Sequence, residues 1–145
     1  NIKFGVIGFR EKLSDKINDE LDLAILETKE NTGLNLILGL NYGSRQEIVR
    51  AVKKISKQVT LGDIKLDQIN ENTISDNLFT SNIKDPDLVI RTGGEKRISN
   101  FLLWQAAYSE LYLTDTFWPD FDMDELCQII GQYQMRDRRY GGLGK

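Results

Sequence analysis

The amino-acid sequence predicts an α/β fold, a parallel β-sheet flanked by helices. Three observations predict it. Strand-like and helix-like patterns alternate along the chain, as repeated strand–helix–strand units require. LNLILGLN (residues 34–41) is apolar on both faces, as expected of a central strand in a parallel sheet. Two polar, glycine-containing turns, NYGSR (41–45) and RTGGEKRIS (91–99), follow strand patterns directly, and α/β sheets bind ligands beyond the carboxyl ends of their strands.

The elements follow in order. IKFGVIG (2–8) reads as the first strand. Ser14 can cap a helix whose apolar face is Ile17, Leu21, Ala24, Ile25 and Thr28, and Gly33 supplies its C-terminal stop. After the strand at 34–41, SRQE (44–47) has the form of a capping box. It opens a helix with Ile48, Ala51, Val52, Ile55 and Val59 inward. Residues 62–84 are polar, with a short helix over 71–79. DLVIR (87–91) is a short buried strand. NFLLWQAAY (100–108) reads as a short helix capped by Ser99 or Asn100. ELYLT (110–114) reads as a strand, because it alternates and is rich in β-formers. The last helix starts near Asp122, with Glu125 three residues on, and runs to about Arg138. No repeat, low-complexity segment or linker interrupts the pattern, so the chain reads as one domain, ordinary for 145 residues.

Composition excludes several classes of function. The chain is 40% hydrophobic and 28% charged, with net charge −3. This suits a soluble globular protein and argues against a general nucleic-acid binder. There is no histidine, which removes His-based acid–base catalysis, His metal ligands and a Ser-His-Asp triad. The single cysteine, Cys127, excludes an internal disulfide framework, suits a reducing, cytoplasmic setting and reads as a core residue. No apolar run approaches transmembrane length, and the start does not read as a signal peptide. The first residue is Asn1, so the expectation is a processed start or a piece of something longer.

In RTGGEKRIS, Arg91 stands at a strand end. Gly93 and Gly94 allow a tight turn and a close backbone approach to a ligand. Arg97 and the Ser99 hydroxyl follow. A helix beginning at residue 99 or 100 would present free N–H groups to an anion, and two guanidiniums add bidentate donors to phosphate oxygens. Two readings stand: a phosphate or diphosphate clamp, or a turn with solvated arginines and an ordinary cap. The spacing matches neither a P-loop nor a dinucleotide fingerprint.

Glu110 raises a geometric question. Were residues 100–110 one straight helix, Ser99 and Glu110 would lie roughly 16 Å apart, too far for one phosphate-bound metal to span. A helix ending near Tyr108 and a strand from Glu110 would bring the chain back toward the sheet. A carboxylate beside a diphosphate is the ligand pattern Mg²⁺ favours. The other reading is a surface strand glutamate.

The stretch DLVIRTGGEKRISNFLLWQAAYSELYLTDTFWPDFD closely resembles the C-terminal signature of cis-prenyltransferases, most of all bacterial undecaprenyl diphosphate synthases (isoprenyl transferases). NTGLNLILGLNYGSRQEIV is similar to the middle of that family and RDRRYGG to its C-terminal end. The resemblance spans residues 2–142. It implies condensation of isopentenyl diphosphate onto an allylic diphosphate such as farnesyl diphosphate. Each step makes a cis double bond and releases diphosphate, assisted by Mg²⁺. The product would be a long-chain polyprenyl diphosphate lipid carrier of the kind used in cell wall biogenesis. By position, Arg91, Arg97, Ile98 and Ser99 would bind the diphosphate of isopentenyl diphosphate, and Glu110 would be a Mg²⁺ ligand. The family is usually dimeric, so the resemblance implies a homodimer, with the segment after Trp104 supplying much of the interface. Lipid products imply work beside a membrane, at most peripherally.

The sequence also departs from the family. Its Asp-Gly-Asn-x-x-Arg-Trp-Ala motif, which holds the allylic diphosphate and supplies a catalytic aspartate, is absent. The resemblance thus implies the C-terminal portion of a single domain, without the N-terminal part of the fold, and no turnover by this chain alone. Ser44 stands where the family usually has glycine, and Phe9 where aspartate often follows Ile-Gly. Lys96 lies at a variable position.

Asn41 and Arg45 at a strand end, and Glu95 in the clamp, are further candidates, with a structural turn the alternative for the first two. Asp120 is a weaker candidate, beside Trp118 and Pro119 in what reads as a packed turn. Phe101, Leu102, Leu103 and Trp104 read as core rather than substrate wall. Arg139 and Gly141 form an Arg-x-Gly element that would reach a diphosphate, or else belong to a solvated tail. Three functions are open at this point: the enzyme, seen as a fragment or one chain of a cleaved protein; a non-catalytic partner subunit that binds diphosphate and scaffolds a dimer; and an unrelated phosphate-binding module.

Overall fold

The computed structural model describes residues 1–136. Arg139 and Gly141 lie outside the described residues. The chain divides into two compact units, residues 1–83 and 84–145.

In the first unit, β1 (Ile2–Ile7) and β2 (Leu34–Gly39) pair in parallel, from Ile2 opposite Leu34 to Ile7 opposite Gly39. The helix α1 (Asp15–Thr28) connects them and packs on β1. The Ser14 hydroxyl accepts from the Ile17 N–H, as the sequence predicts for an N-cap. The predicted apolar face is half-buried at Leu21, Ala24 and Ile25, but Ile17 is exposed. Gly33 is not the helix stop: the C-cap is Lys29 in right-handed conformation. Gly33 is needed for a close approach, since a Cβ there would lie 2.1 Å from the Asn1 carbonyl oxygen.

The prediction of a β2 buried on both faces does not hold within the described residues. Leu34 is 66% exposed, and Leu36 and Leu38 are also exposed. β1 is the only ladder partner of β2 among the described residues, and α1 packs on this sheet chiefly through β1.

The next helix, α2 (Ser44–Leu61), ends at Gly62 in the left-handed conformation, φ +80°, the usual glycine C-cap. Ala51 and Ile55 are buried as predicted, whereas Val52 is exposed. The capping box is corrected. Gly43 is the N-cap, with no side-chain cap bond. Glu47 is fully buried instead, and its carboxylate accepts from the Tyr42 hydroxyl at 2.5 Å and the Phe79 N–H at 2.7 Å. The short helix in the polar segment, α3 (Glu71–Ser75), packs against α2. Ile7, Ala51, Ile55 and Leu78 form the buried apolar set of this unit.

In the second unit, β3 (Leu88–Arg91) and β4 (Glu110–Leu113) pair in parallel, Leu88 opposite Glu110 and Arg91 opposite Leu113. The last helix, α4 (Met123–Gln134), is capped by Asp122, whose carboxylate accepts from the Glu125 N–H at 2.9 Å, and buries Ile129. The predicted helix over 100–108 is replaced by a series of turns. Its path is broken at the start, because Ser99 (φ +49°), Asn100 (φ +63°) and Leu102 (φ +48°) take left-handed backbone, which cannot propagate a right-handed helix. Phe101 and Leu103 are exposed, so the core reading of this stretch fails for them. Cys127 is exposed on α4, not buried. Trp118 is 74% exposed and stacks on Phe121, with ring centroids 6.1 Å apart, rather than packing into a turn.

Candidate functional site

The sequence concentrates donors at the C-terminal end of β3, and the fold arranges them. After Arg91 the chain reverses through Gly93 (φ +85°) and Gly94 (φ +74°). The turn is tied to the segment after β4: the Gly93 N–H donates to the Thr116 carbonyl at 2.8 Å and the Gly94 N–H to the Thr114 carbonyl at 2.9 Å. A Cβ on Gly94 would lie 3.1 Å from Asp115 Oδ1. The positive φ favours glycine there, and an added Cβ would also need the Asp115 side chain to give by a few tenths of an ångström.

Arg91 then organises the loop. From Nη1 it donates to the Arg97 carbonyl oxygen at 2.6 Å and to Ser99 Oγ at 2.8 Å. Nε and Nη2 stand outside these bonds, and a guanidinium has five N–H donors in all. The Arg97 guanidinium is ion-paired with Glu95 across the same loop, and Arg97, Ile98 and Ser99 are exposed. The structure therefore brings together Arg91, Glu95, Arg97, Ile98 and Ser99. They form an exposed loop of fixed donors, with one carboxylate beside Arg97. The helix N-terminus expected at residue 99 or 100 is not part of it.

Glu110 is not brought to this loop within the unit. It pairs with Leu88 at the opposite end of the ladder from Arg91. Three residue steps along the strand separate the two positions, about 10 Å. The carboxylate of Glu110 is ion-paired with Arg136. Asp120 lies in a short 3₁₀ turn, Trp118–Asp120, and is exposed.

Sequence reasoning missed the floor under the Gly-Gly turn. The Thr114 hydroxyl donates to Glu125 Oε1 at 2.6 Å and accepts from the Thr116 N–H at 3.2 Å. Thr114, Thr116 and Glu125 thereby fix the backbone to which Gly93 and Gly94 bond. The signal was a polar TDT directly after a strand.

In the first unit, Asn41 adopts left-handed backbone, φ +47°, and its amide donates to the Phe9 carbonyl at 2.8 Å. It ties together the ends of β1 and β2, the structural alternative raised for it. Arg45 lines a separate cavity of about 940 Å³ beside α2. Arg10, also on that cavity, is committed to α1: it binds the Asp22 carboxylate at 2.7 Å and the Asn18 amide oxygen at 3.0 Å. The hydrogen bond and charge of Arg10 hold the Asp22 carboxyl below the ordinary carboxylate range, and the same contact raises the Arg10 guanidinium.

Known proteins resemble this chain over nearly its whole length. The prenyltransferase family model described as "Putative undecaprenyl diphosphate synthase" matches residues 1–141. An undecaprenyl diphosphate synthase of Micrococcus luteus, specific for (2E,6E)-farnesyl diphosphate, is 49% identical over 143 residues, covering 99% of this chain and 57% of that protein. An isoprenyl transferase of Geobacillus kaustophilus is 51% identical, covering 99% of this chain and 56% of its own length. The crystal structure of lavandulyl diphosphate synthase from Lavandula x intermedia, in complex with dimethylallyl diphosphate, superimposes with a TM-score of 0.94 at 37% identity, over 97% of this chain and 60% of that one. The chain thus spans a little over half the length of its curated relatives. These matches give a share of length and not its placement, so the expectation of a C-terminal portion is not borne out by them. With the parallel α/β fold, they establish the lineage: the chain belongs to the cis-prenyltransferase family, that of the undecaprenyl diphosphate synthases.

Proposed function

We propose that this chain serves prenyl transfer by holding the diphosphate of isopentenyl diphosphate while it condenses, in cis, onto an allylic diphosphate of the farnesyl type. The product would be a long-chain polyprenyl diphosphate. The observation that carries the reading is the double hydrogen bond from Arg91, which fixes Arg97 and Ser99 on one loop. A diphosphate seated there would take Nε and Nη2 of Arg91, the guanidinium of Arg97 and the Ser99 hydroxyl. Charge-assisted bonds of this kind are the strong ones. To bind, Arg97 exchanges Glu95 for a phosphate oxygen. This diphosphate is not a leaving group, so the loop's work is to orient the nucleophilic double bond.

The loop itself is a poor metal site, since Arg91, Arg97 and Ser99 are cations and a hydroxyl and its one carboxylate, Glu95, is paired with Arg97. Glu110 is the hard oxygen donor proposed for Mg²⁺, and it would serve only after leaving Arg136. When bound, Mg²⁺ stabilises charge on the departing allylic diphosphate. A single catalytic domain containing both units, a homodimer and a peripheral place beside the membrane are proposed with this activity. Exposed Leu103, Tyr108, Leu111 and Leu113 in the second unit support a dimer. No helix among the described residues is long and apolar enough to cross a membrane.

Incorporation of labelled isopentenyl diphosphate into solvent-extractable product tests the reading, with farnesyl diphosphate and Mg²⁺ present. The sequence holds no Asp-Gly-Asn-x-x-Arg-Trp-Ala stretch, so we expect this chain alone to bind isopentenyl diphosphate saturably. Incorporation is expected only when a polypeptide carrying that stretch is supplied. Arg97→Ala should weaken the binding and remove the incorporation. Binding with no incorporation even then would favour the scaffolding subunit. Absence of binding would overturn the proposal.

A further inference from the structure

The described residues that line the cavity beside α2 all belong to the first unit, and their chemistry is not that of the Arg91 loop. Its floor is aromatic and apolar. Phe9 meets Phe79 edge to face with centroids 5.1 Å apart, and Val49 is exposed on the same wall. Its rim is mostly basic: Arg50, Lys53, Lys54 and Lys57 line it from α2, with Glu11 the one carboxylate among the described lining residues. On a helix these four positions, i, i+3, i+4 and i+7, share one face.

This row is costly to the folded helix. Like charges three and four residues apart repel by a few tenths of a kcal/mol per pair. No ion pair among the described residues involves Lys53, Lys54 or Lys57. The single acidic residue of α2, Glu47, is fully buried, with its carboxylate on Tyr42 and Phe79. Arg50 is held in place, its guanidinium 4.4 Å from the centre of the Phe79 ring. The whole chain carries net charge −3, so the cationic face is local. A row of cations over an aromatic floor, about 940 Å³ in volume, lies within the range of small-molecule sites.

We infer that this cavity is a binding site for an anionic amphiphile, a phosphate head on an apolar tail. The head lies on Lys53, Lys54, Lys57 and Arg50, and the tail lies against Phe9, Val49 and Phe79. The amphiphile is either a single free molecule or a lipid of an anionic bilayer, since the head chemistry is the same in both.

Two binding measurements test this and separate the sources. One is co-sedimentation with vesicles of anionic phospholipid against purely zwitterionic vesicles. The other is calorimetry with a short-chain phosphatidic acid below its micellar concentration, beside inorganic phosphate. We expect preference for anionic vesicles, for the monomeric phosphatidic acid, or for both. Vesicle binding alone assigns the bilayer as the source, and binding of the monomer assigns a free ligand. At low salt, a combined Lys53→Gln, Lys54→Gln, Lys57→Gln variant should bind roughly a hundredfold more weakly, about fivefold per lysine. The combined variant Lys3→Gln, Lys16→Gln, Lys29→Gln makes the same change in net charge at exposed positions that do not line the cavity and should stay within about twofold. All six lysines are exposed, so both variants should keep the parent circular dichroism. Failure to prefer anionic vesicles together with no binding of phosphatidic acid would overturn the inference. So would equal loss in the two variants, or inorganic phosphate binding as tightly as the amphiphile.

Discussion

Arg91 donates from Nη1 to the Ser99 hydroxyl at 2.8 Å, across eight residues of loop. The same nitrogen also holds the Arg97 carbonyl. Arg91 is therefore the brace of the loop through its side chain, while the Arg97 guanidinium pairs with Glu95 and only the Arg97 carbonyl takes part in the brace.

The two arginines should fail differently. Arg97→Ala leaves the backbone carbonyl that Arg91 holds and removes one charged partner, which is worth about 1.5–3 kcal/mol. Affinity for isopentenyl diphosphate should fall roughly tenfold to a hundredfold. Arg91→Ala removes a charge and frees the loop, so the loss should be larger. Arg91→Lys should restore little, because one ammonium cannot span both acceptors and a phosphate in the guanidinium's planar geometry. Titration calorimetry on the three variants gives the order.

The glycines should rank by their surroundings. Gly62, at φ +80°, has nothing within 4 Å of an added Cβ, so Gly62→Ala should cost only the left-handed strain of about 1–2 kcal/mol. Gly94→Ala adds the 3.1 Å contact with Asp115 and should cost more. At Gly8 an added Cβ would lie 2.0 Å from the Leu40 carbonyl oxygen, which the backbone cannot relieve without breaking the end of the β1–β2 ladder. Melting temperatures should fall in that order.

Glu47 should matter more to stability than any exposed charge. Glu47→Ala leaves the Tyr42 hydroxyl and the Phe79 N–H without the acceptor they have now. The cost should be about 3 kcal/mol, at 1–3 for each orphaned donor. Tyr42→Phe, which removes only one of the two, should cost less. Denaturant unfolding measures both.

Asp22 should titrate below the ordinary carboxylate range, with its Arg10 hydrogen bond as the main cause. A carboxyl depressed in the folded state contributes stability that is present above its unfolded pKa and is lost as pH falls through the folded value. The loss should therefore begin below about pH 4. Carbon-detected NMR titration should show the depressed midpoint in the parent and an ordinary one in Arg10→Ala.

Local signals were legible in the sequence and distant ones were not. Ser14 and Asp122 cap their helices through N–H groups three residues away, so residue type and spacing sufficed. The strand 87–91 and the return strand at Glu110 were legible from alternation and apolar runs. Glu47 was misread because its N–H partner, Phe79, is 32 residues away, and the capping-box spacing hides that. The helix over 100–108 was misread because left-handed backbone at Ser99 and Leu102 is not encoded by glycine there. Cys127 and β2 were misread as buried because apolar character shows what a chain can bury, not what its neighbours in the unit cover. In the candidate site, Arg91, Arg97 and Ser99 were legible as donors beside a Gly-Gly turn. The Thr114–Glu125 floor was not, because it joins residues eleven apart through side chains.

The central claim is that the Arg91 loop is a diphosphate clamp, and equilibrium binding of isopentenyl diphosphate to the parent and to Arg97→Ala tests it most directly. The clamp predicts saturable binding to the parent, weakened at least tenfold in the variant while its circular dichroism is unchanged. Equal affinity in the two proteins would contradict it.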